Sequence, residues 1–145
     1  MGPKVREHMT DRPRGVTPET LISDAAELMA SEDVGSLPIL DGDELIGVVT
    51  DRDIVVRAVA RKKNLQGMPV RDVASSELVT VGPEEDLSEA LRLMATHQVR
   101  RLPVVDEDNR LVGVLAQADV ATGAKEKAVG EMVEGISQAP SGPRV

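Results

Sequence analysis

The chain has 145 residues, of which 41% are hydrophobic and 29% charged, the make-up of a globular protein with room for one domain or two small halves sharing a core. Phe, Tyr, Trp and Cys are all absent, which excludes disulfides, thiol nucleophiles, Cys-ligated zinc, iron–sulfur clusters, aromatic cages and base-stacking platforms. Lys plus Arg number 17 against 25 Asp plus Glu, a formal net charge of −8, so no general attraction to nucleic acid or an anionic membrane is expected.

Residues Met1 to His8 hold no apolar run of the signal-peptide kind, and no apolar stretch approaches the length of a spanning helix. A cytoplasmic location is the expectation.

A lead-in, Val5-Arg6, precedes a strand edge around Val16 and the helix-start signal Pro18-Glu19. Thr20 to Asp33 carries Leu21, Ala25, Leu28 and Met29 at the spacing of one helical face. Two apolar, β-branched runs follow, Ser36 to Leu40 and Leu45 to Thr50, joined through Asp41-Gly42-Asp43-Glu44 as a hairpin. A second helix is predicted from Asp51 to about Arg61. The polar, Gly/Pro-punctuated segment 63–69 is a connector.

The order then recurs. A lead-in Val70-Arg71 precedes a strand edge at Val79 to Val81, a helix over Asp86 to Gln98 with Leu87, Ala90, Leu91 and Met94 on one face, and a hairpin of Arg101 to Val105 and Leu111 to Leu115. A helix from Gln117 to Ala121 onward closes the copy. A last helix is predicted over 125–137, with Ala128, Val129, Met132, Val133 and Ile136 on one side, and 138–145 reads as a disordered tail.

The recurrence is an internal repeat. At an offset of 65 residues Pro18-Glu19 falls on Pro83-Glu84, Leu28-Met29-Ala30 on Leu93-Met94-Ala95, and Leu37-Pro38 on Leu102-Pro103. One extra residue in the second hairpin turn raises the offset to 66, and Gly47-Val48 then falls on Gly113-Val114 and Asp53 on Asp119. The copies span 4–62 and 70–124, and two units this short are expected to pack face to face.

A leading helix, Val-x-x-Leu-Pro-Ile/Val and Leu-Ile/Val-Gly-Val, occurring twice and followed by Thr-x-x-Asp in the first copy, resembles the cystathionine-β-synthase (CBS) domain, and the tandem resembles the CBS pair or Bateman module. The likeness covers residues 4 to 122. It implies an α+β fold of two β-α-β-β-α repeats with pseudo-two-fold symmetry, a stand-alone regulatory protein rather than an enzyme, and a homodimer with an unknown protein partner. It also implies binding of AMP, ADP, ATP, an NAD-type or an S-adenosyl compound in clefts between the repeats, with no other cofactor.

Thr50-Asp51-Arg52-Asp53 lies where a strand gives way to a helix. Open N–H groups at a helix start attract phosphate, Thr50 adds a hydroxyl, and the Asp53 carboxylate can accept two ribose hydroxyls. Thr-x-x-Asp is equally a capping box, in which the same side chains close the helix start. The repeat and the family likeness are what bring in a ligand. By that likeness the Thr50/Asp53 site recruits Val48, Val79, Thr80, Val99, Arg100 and Arg101. A second site around Asp119 recruits Val114, Val16, Thr17, Val34, Gly35 and Ser36. Ala116 stands where the first copy has Thr50, so the second site is expected to be weaker. Arg100 and Arg101 suit a di- or triphosphate by bidentate bonding, or a solvated, ion-paired surface.

His8 and His97, the only histidines, show no metal-ligand spacing, and His97 falls where a helix C-terminus favours a cation. There is no Gly-x-Ser-x-Gly elbow and no Walker-type loop. A ligand-binding sensor is the first reading. An interaction scaffold with degenerate ligand sites is the alternative, and a small hydrolase or transferase the least supported.

Overall fold

In the computed structural model, which describes residues 2–11 and 13–123, the chain divides into two compact units that do not follow the order of the sequence. One is Arg14–Leu78. Among the described residues, the other joins residues 2–11 and Pro13 to residues 79–123. The lead-in of each copy therefore belongs to the body of the other copy. The helix expected over 125–137 and the tail over 138–145 lie outside the described residues.

In the Arg14–Leu78 unit, α1 (Ile22–Glu32) is followed by the hairpin β2 (Ser36–Asp41) and β3 (Glu44–Thr50), then by α2 (Asp51–Ile54), which widens into a π turn over Val55–Val59. Gly42 turns the hairpin at φ +65°, a left-handed value that glycine adopts without a Cβ penalty. Val16 pairs in parallel with Ile39 at one edge of the hairpin, and Ser75 pairs antiparallel with Val48 at the other. A 3-10 turn over Val70–Asp72 puts Val70 into the core beside Ile22, Ala25, Met29, Ile39 and Val49.

The other unit repeats this plan with α3 (Leu87–His97), β4 (Arg101–Val105), β5 (Leu111–Ala116) and α4 (Gln117–Gly123). Here the lead-in supplies a 3-10 turn over Val5–Glu7 and a short β1 (Thr10–Asp11), which pairs antiparallel with β5 through Thr10 and Val114. Val81 pairs in parallel with Val104, the counterpart of Val16 with Ile39. Val5, Leu87, Leu91, Met94, Leu102 and Leu115 fill this core.

Both long helices begin later than their prolines suggest. Pro18 and Pro83 sit in turns closed by Thr17 N–H on Thr20 Oγ1 and by Gly82 N–H on Glu85 Oε2. The first helical amides are met by the residues two before each lead-in instead: Ile22 N–H donates to the Met68 carbonyl, and Leu87 N–H to that of Pro3, each at 2.9 Å. The apolar face of α1 is consequently shifted from the predicted one. Ile22 is buried, whereas Leu21 is 37% exposed. In α3 the four predicted residues, Leu87, Ala90, Leu91 and Met94, are all buried. Asp33 and Gln98 end the two helices in equivalent left-handed conformations, at φ 56° and 57°.

Candidate functional site

Thr50 is the last residue of β3 and the N-cap of α2, with extended backbone. Asp53 N–H donates to Thr50 Oγ1 at 3.0 Å, and Thr50 N–H donates to Asp53 Oδ2 at 2.9 Å, a complete capping box. Asp51 N–H donates to the Gly35 carbonyl at 2.9 Å, and Arg52 N–H to Asp51 Oδ1 at 2.8 Å. The amides of residues 51, 52 and 53 thus all have acceptors, which corrects the expectation of open N–H groups awaiting a phosphate. What the pair still offers is side-chain chemistry. A hydroxyl that accepts one bond keeps its own O–H donor, and a carboxylate bound through one oxygen keeps lone pairs on the other.

That other oxygen, Asp53 Oδ1, faces Arg57 Nε at 3.8 Å, and the Asp53 side chain is 14% exposed. Arg57 Nη1 donates in turn to the carbonyls of Val73 and Ala74, at 3.3 and 3.4 Å. Ser75, next along this segment, exchanges two backbone bonds with Val48 at 3.0 and 3.1 Å. Arg57 and the 73–75 segment form no part of the predicted site, although Asp53-x-x-x-Arg57 is the i, i+4 spacing of a helical ion pair.

In the second copy, Ala116 N–H donates to Asp119 Oδ2 at 3.4 Å, and Gln117 N–H to the Arg100 carbonyl at 2.8 Å. Asp119 therefore keeps a capping bond although Ala116 brings no hydroxyl, and its presence does not by itself require a ligand. Each segment before Leu-Pro is bonded to the helix start of its own copy. Ser36 is paired with Thr50 across the first hairpin and Arg101 with Ala116 across the second.

The remaining candidates divide between the two units. Val16 is buried in the Arg14–Leu78 core, Val34 packs partly against it, and Thr17 is exposed. Val79 and Val99 pack partly against the other core, and Val114 lies on β5 between Thr10 and Pro103. Thr80 lines an open groove of about 550 Å³ with Gly82, Glu84, Glu85, Asp106 and Glu107, whose four carboxylates repel phosphate. The pairing of Val16 with Ile39 and of Val81 with Val104 also fixes the register between copies. Val16 and Thr17 correspond to Val81 and Gly82, so they are not the counterparts of Val79 and Thr80.

Among the described residues no group of three His, Asp or Glu side chains is placed to hold a metal ion, and no helix is long and apolar enough to cross a membrane. His97 occupies the last turn of α3, as its spacing predicts.

Two copies of one α+β unit, each closed by a strand-to-helix cap, define a tandem-repeat module. The CBS domain family model matches residues 5–59 and 70–125, and the chain belongs to that family as a tandem pair. It is 44% identical over 117 residues to the CBS domain-containing protein YhcV of Bacillus subtilis, covering 81% of this chain and 82% of that protein. The crystal structure of Hypoxic Response Protein I with two coordinated zinc ions is similar at a TM-score of 0.77 and 34% identity, over 85% of this chain and 100% of that one. CBSX2 in complex with AMP is similar at a TM-score of 0.73 and 32% identity, over 83% and 95% of the two chains.

Proposed function

We propose that the chain is a non-catalytic regulatory module that binds an adenine nucleotide or related adenosyl ligand, acting as a cytoplasmic homodimer that reports occupancy to a protein partner. The observation that carries this reading is the Thr50/Asp53 pair: its hydroxyl donor and second carboxylate oxygen remain chemically available, in a chain 32% identical to a CBS protein crystallised with AMP. Thr50 addresses a phosphate and Asp53 the ribose, with Val48 against the base. Val79, Thr80, Val99, Arg100 and Arg101 are carried over as further contacts from the family pattern. The Asp119 copy, with Val114, Val16, Thr17, Val34, Gly35 and Ser36, is the weaker of two unequal sites.

A second reading has its own support. Thr50 and Asp53 are already satisfied by one another, and Val55, Val56 and Val59 stand 56%, 40% and 52% exposed along the helix beyond them. Such an apolar face suits an interaction dimer with degenerate ligand sites.

Thermal unfolding followed by circular dichroism separates the two, with AMP, ADP, ATP and S-adenosylmethionine as probes. A ligand at about 100 times its Kd stabilises the native state by about 2.7 kcal/mol if it does not bind the unfolded chain. Stabilisation lost in Asp53→Ala and kept in Asp119→Ala supports the sensor. No shift with any probe refutes it and leaves the interaction dimer.

A further inference from the structure

We infer that Arg57 is a positioning residue of this site, orienting the Asp53 carboxylate toward the ribose hydroxyls of an adenine ribonucleotide; the inference rests on the adenosyl reading above. Thr50 N–H fixes only Oδ2, at 2.9 Å, and leaves the direction of Oδ1 to its other neighbour. That neighbour is Arg57 Nε at 3.8 Å, close enough to set orientation by charge and too far to use up the oxygen in a hydrogen bond. Oδ1 is therefore aimed and still able to accept.

The guanidinium is itself anchored. Its Nη1 bonds to the carbonyls of Val73 and Ala74, immediately before Ser75, which is locked to Val48 by two backbone bonds. One side chain thus ties the ribose acceptor to the strand residue assigned to the base. Arg57 is 47% exposed, and an ion pair so exposed adds little to stability, so its weight falls on geometry. Lysine cannot reproduce it, because one ammonium lacks the planar fork that reaches a carboxylate and two carbonyls together. The second copy has Gly123 at the position that corresponds to Arg57, so the arginine itself is not repeated there.

The test is calorimetric titration with AMP and with 2′,3′-dideoxy-AMP, in an Asp119→Ala background that silences the second copy. With Arg57 present, AMP is expected to bind about tenfold or more tightly than the dideoxy compound, the value of hydroxyl bonds to a charged acceptor. Arg57→Met is expected to cut that ratio by at least about threefold while changing the dideoxy Kd little, because the carboxylate stays and only its orientation is lost. An unchanged ratio in Arg57→Met overturns the inference and leaves the adenosyl reading standing. Absence of AMP binding with Arg57 and Asp53 both present overturns the inference, and the adenosyl reading falls with it only if ADP, ATP and S-adenosylmethionine also fail to bind. If circular dichroism shows Arg57→Met to be unfolded, Arg57→Lys decides: a reduced ratio supports the positioning role and an unchanged one refutes it.

Discussion

Asp53 accepts the Thr50 N–H at 2.9 Å and returns its own N–H to Thr50 Oγ1 at 3.0 Å, so each residue closes an amide that the other would leave open. Both groups are partly buried, where water replaces a lost partner poorly. Thr50→Val and Asp53→Ala are each expected to destabilise the protein by about 1–2 kcal/mol, and Thr50→Ser, which keeps the oxygen, by much less. Urea unfolding read by circular dichroism measures this. A loss in Thr50→Ser with none in Thr50→Val would show that the methyl group, not the cap, is what matters at Thr50.

Ala116 offers a converse experiment. Asp119 already accepts the Ala116 N–H, at 3.4 Å, and the missing element is the hydroxyl. Ala116→Thr supplies it, and completing the box is expected to stabilise the protein by about 0.5–1 kcal/mol, seen as a higher urea midpoint at unchanged slope. A lower midpoint would mean that the second helix start is not built like the first.

The repeat, the long helices and both hairpins were legible because each rests on local periodicity, as with Leu87, Ala90, Leu91 and Met94. The exchange of lead-ins was not. Val5-Arg6 and Val70-Arg71 look alike in sequence, and nothing local says that Val5 packs with Leu87 and Val70 with Ile22. That choice is made by long-range pairing. The same exchange explains why α1 starts at Ile22, since the Met68 carbonyl, not a side chain near Pro18, accepts its first amide. At the site, Thr50 and Asp53 stood out as a motif. Arg57 did not, because its meaning depends on the Val73 and Ala74 carbonyls brought to it from 16 and 17 residues away.

Lys4 Nζ lies 3.1 Å from Asp86 Oδ1, joining one lead-in to the N-cap of α3. The hydrogen bond from Lys4, followed by its charge, holds the Asp86 carboxyl below the usual carboxylate range. Because the folded value is the lower one, the contribution is complete above the unfolded carboxylate pKa and is lost as pH falls through the folded one. Lys4→Met is expected to return the Asp86 titration, followed by carboxyl NMR, to the ordinary range and to flatten the acid limb of stability. High salt should shrink the difference, since both side chains are partly open to solvent. A Lys4→Met titration coincident with that of the parent protein would refute the pairing.

Gly113 and Gly47 occupy equivalent strand positions, each facing the lead-in strand paired beside it. A Cβ on Gly113 would come within 2.6 Å of Met9 Sδ and 2.9 Å of the Thr10 carbonyl oxygen. On Gly47 it would come within 3.1 Å of the Ser75 carbonyl oxygen. The thioether can swing aside, but a paired backbone oxygen cannot move without loosening its strand. Gly113→Ala is therefore expected to cost about 1–3 kcal/mol and Gly47→Ala less, with the same sign. Hydrogen exchange locates the damage: in Gly113→Ala the amides around Thr10 should lose protection first. The clash exists only if residues 9 and 10 are seated on β5, so a Gly113→Ala variant of undiminished stability would place the first lead-in elsewhere and refute its exchange between copies.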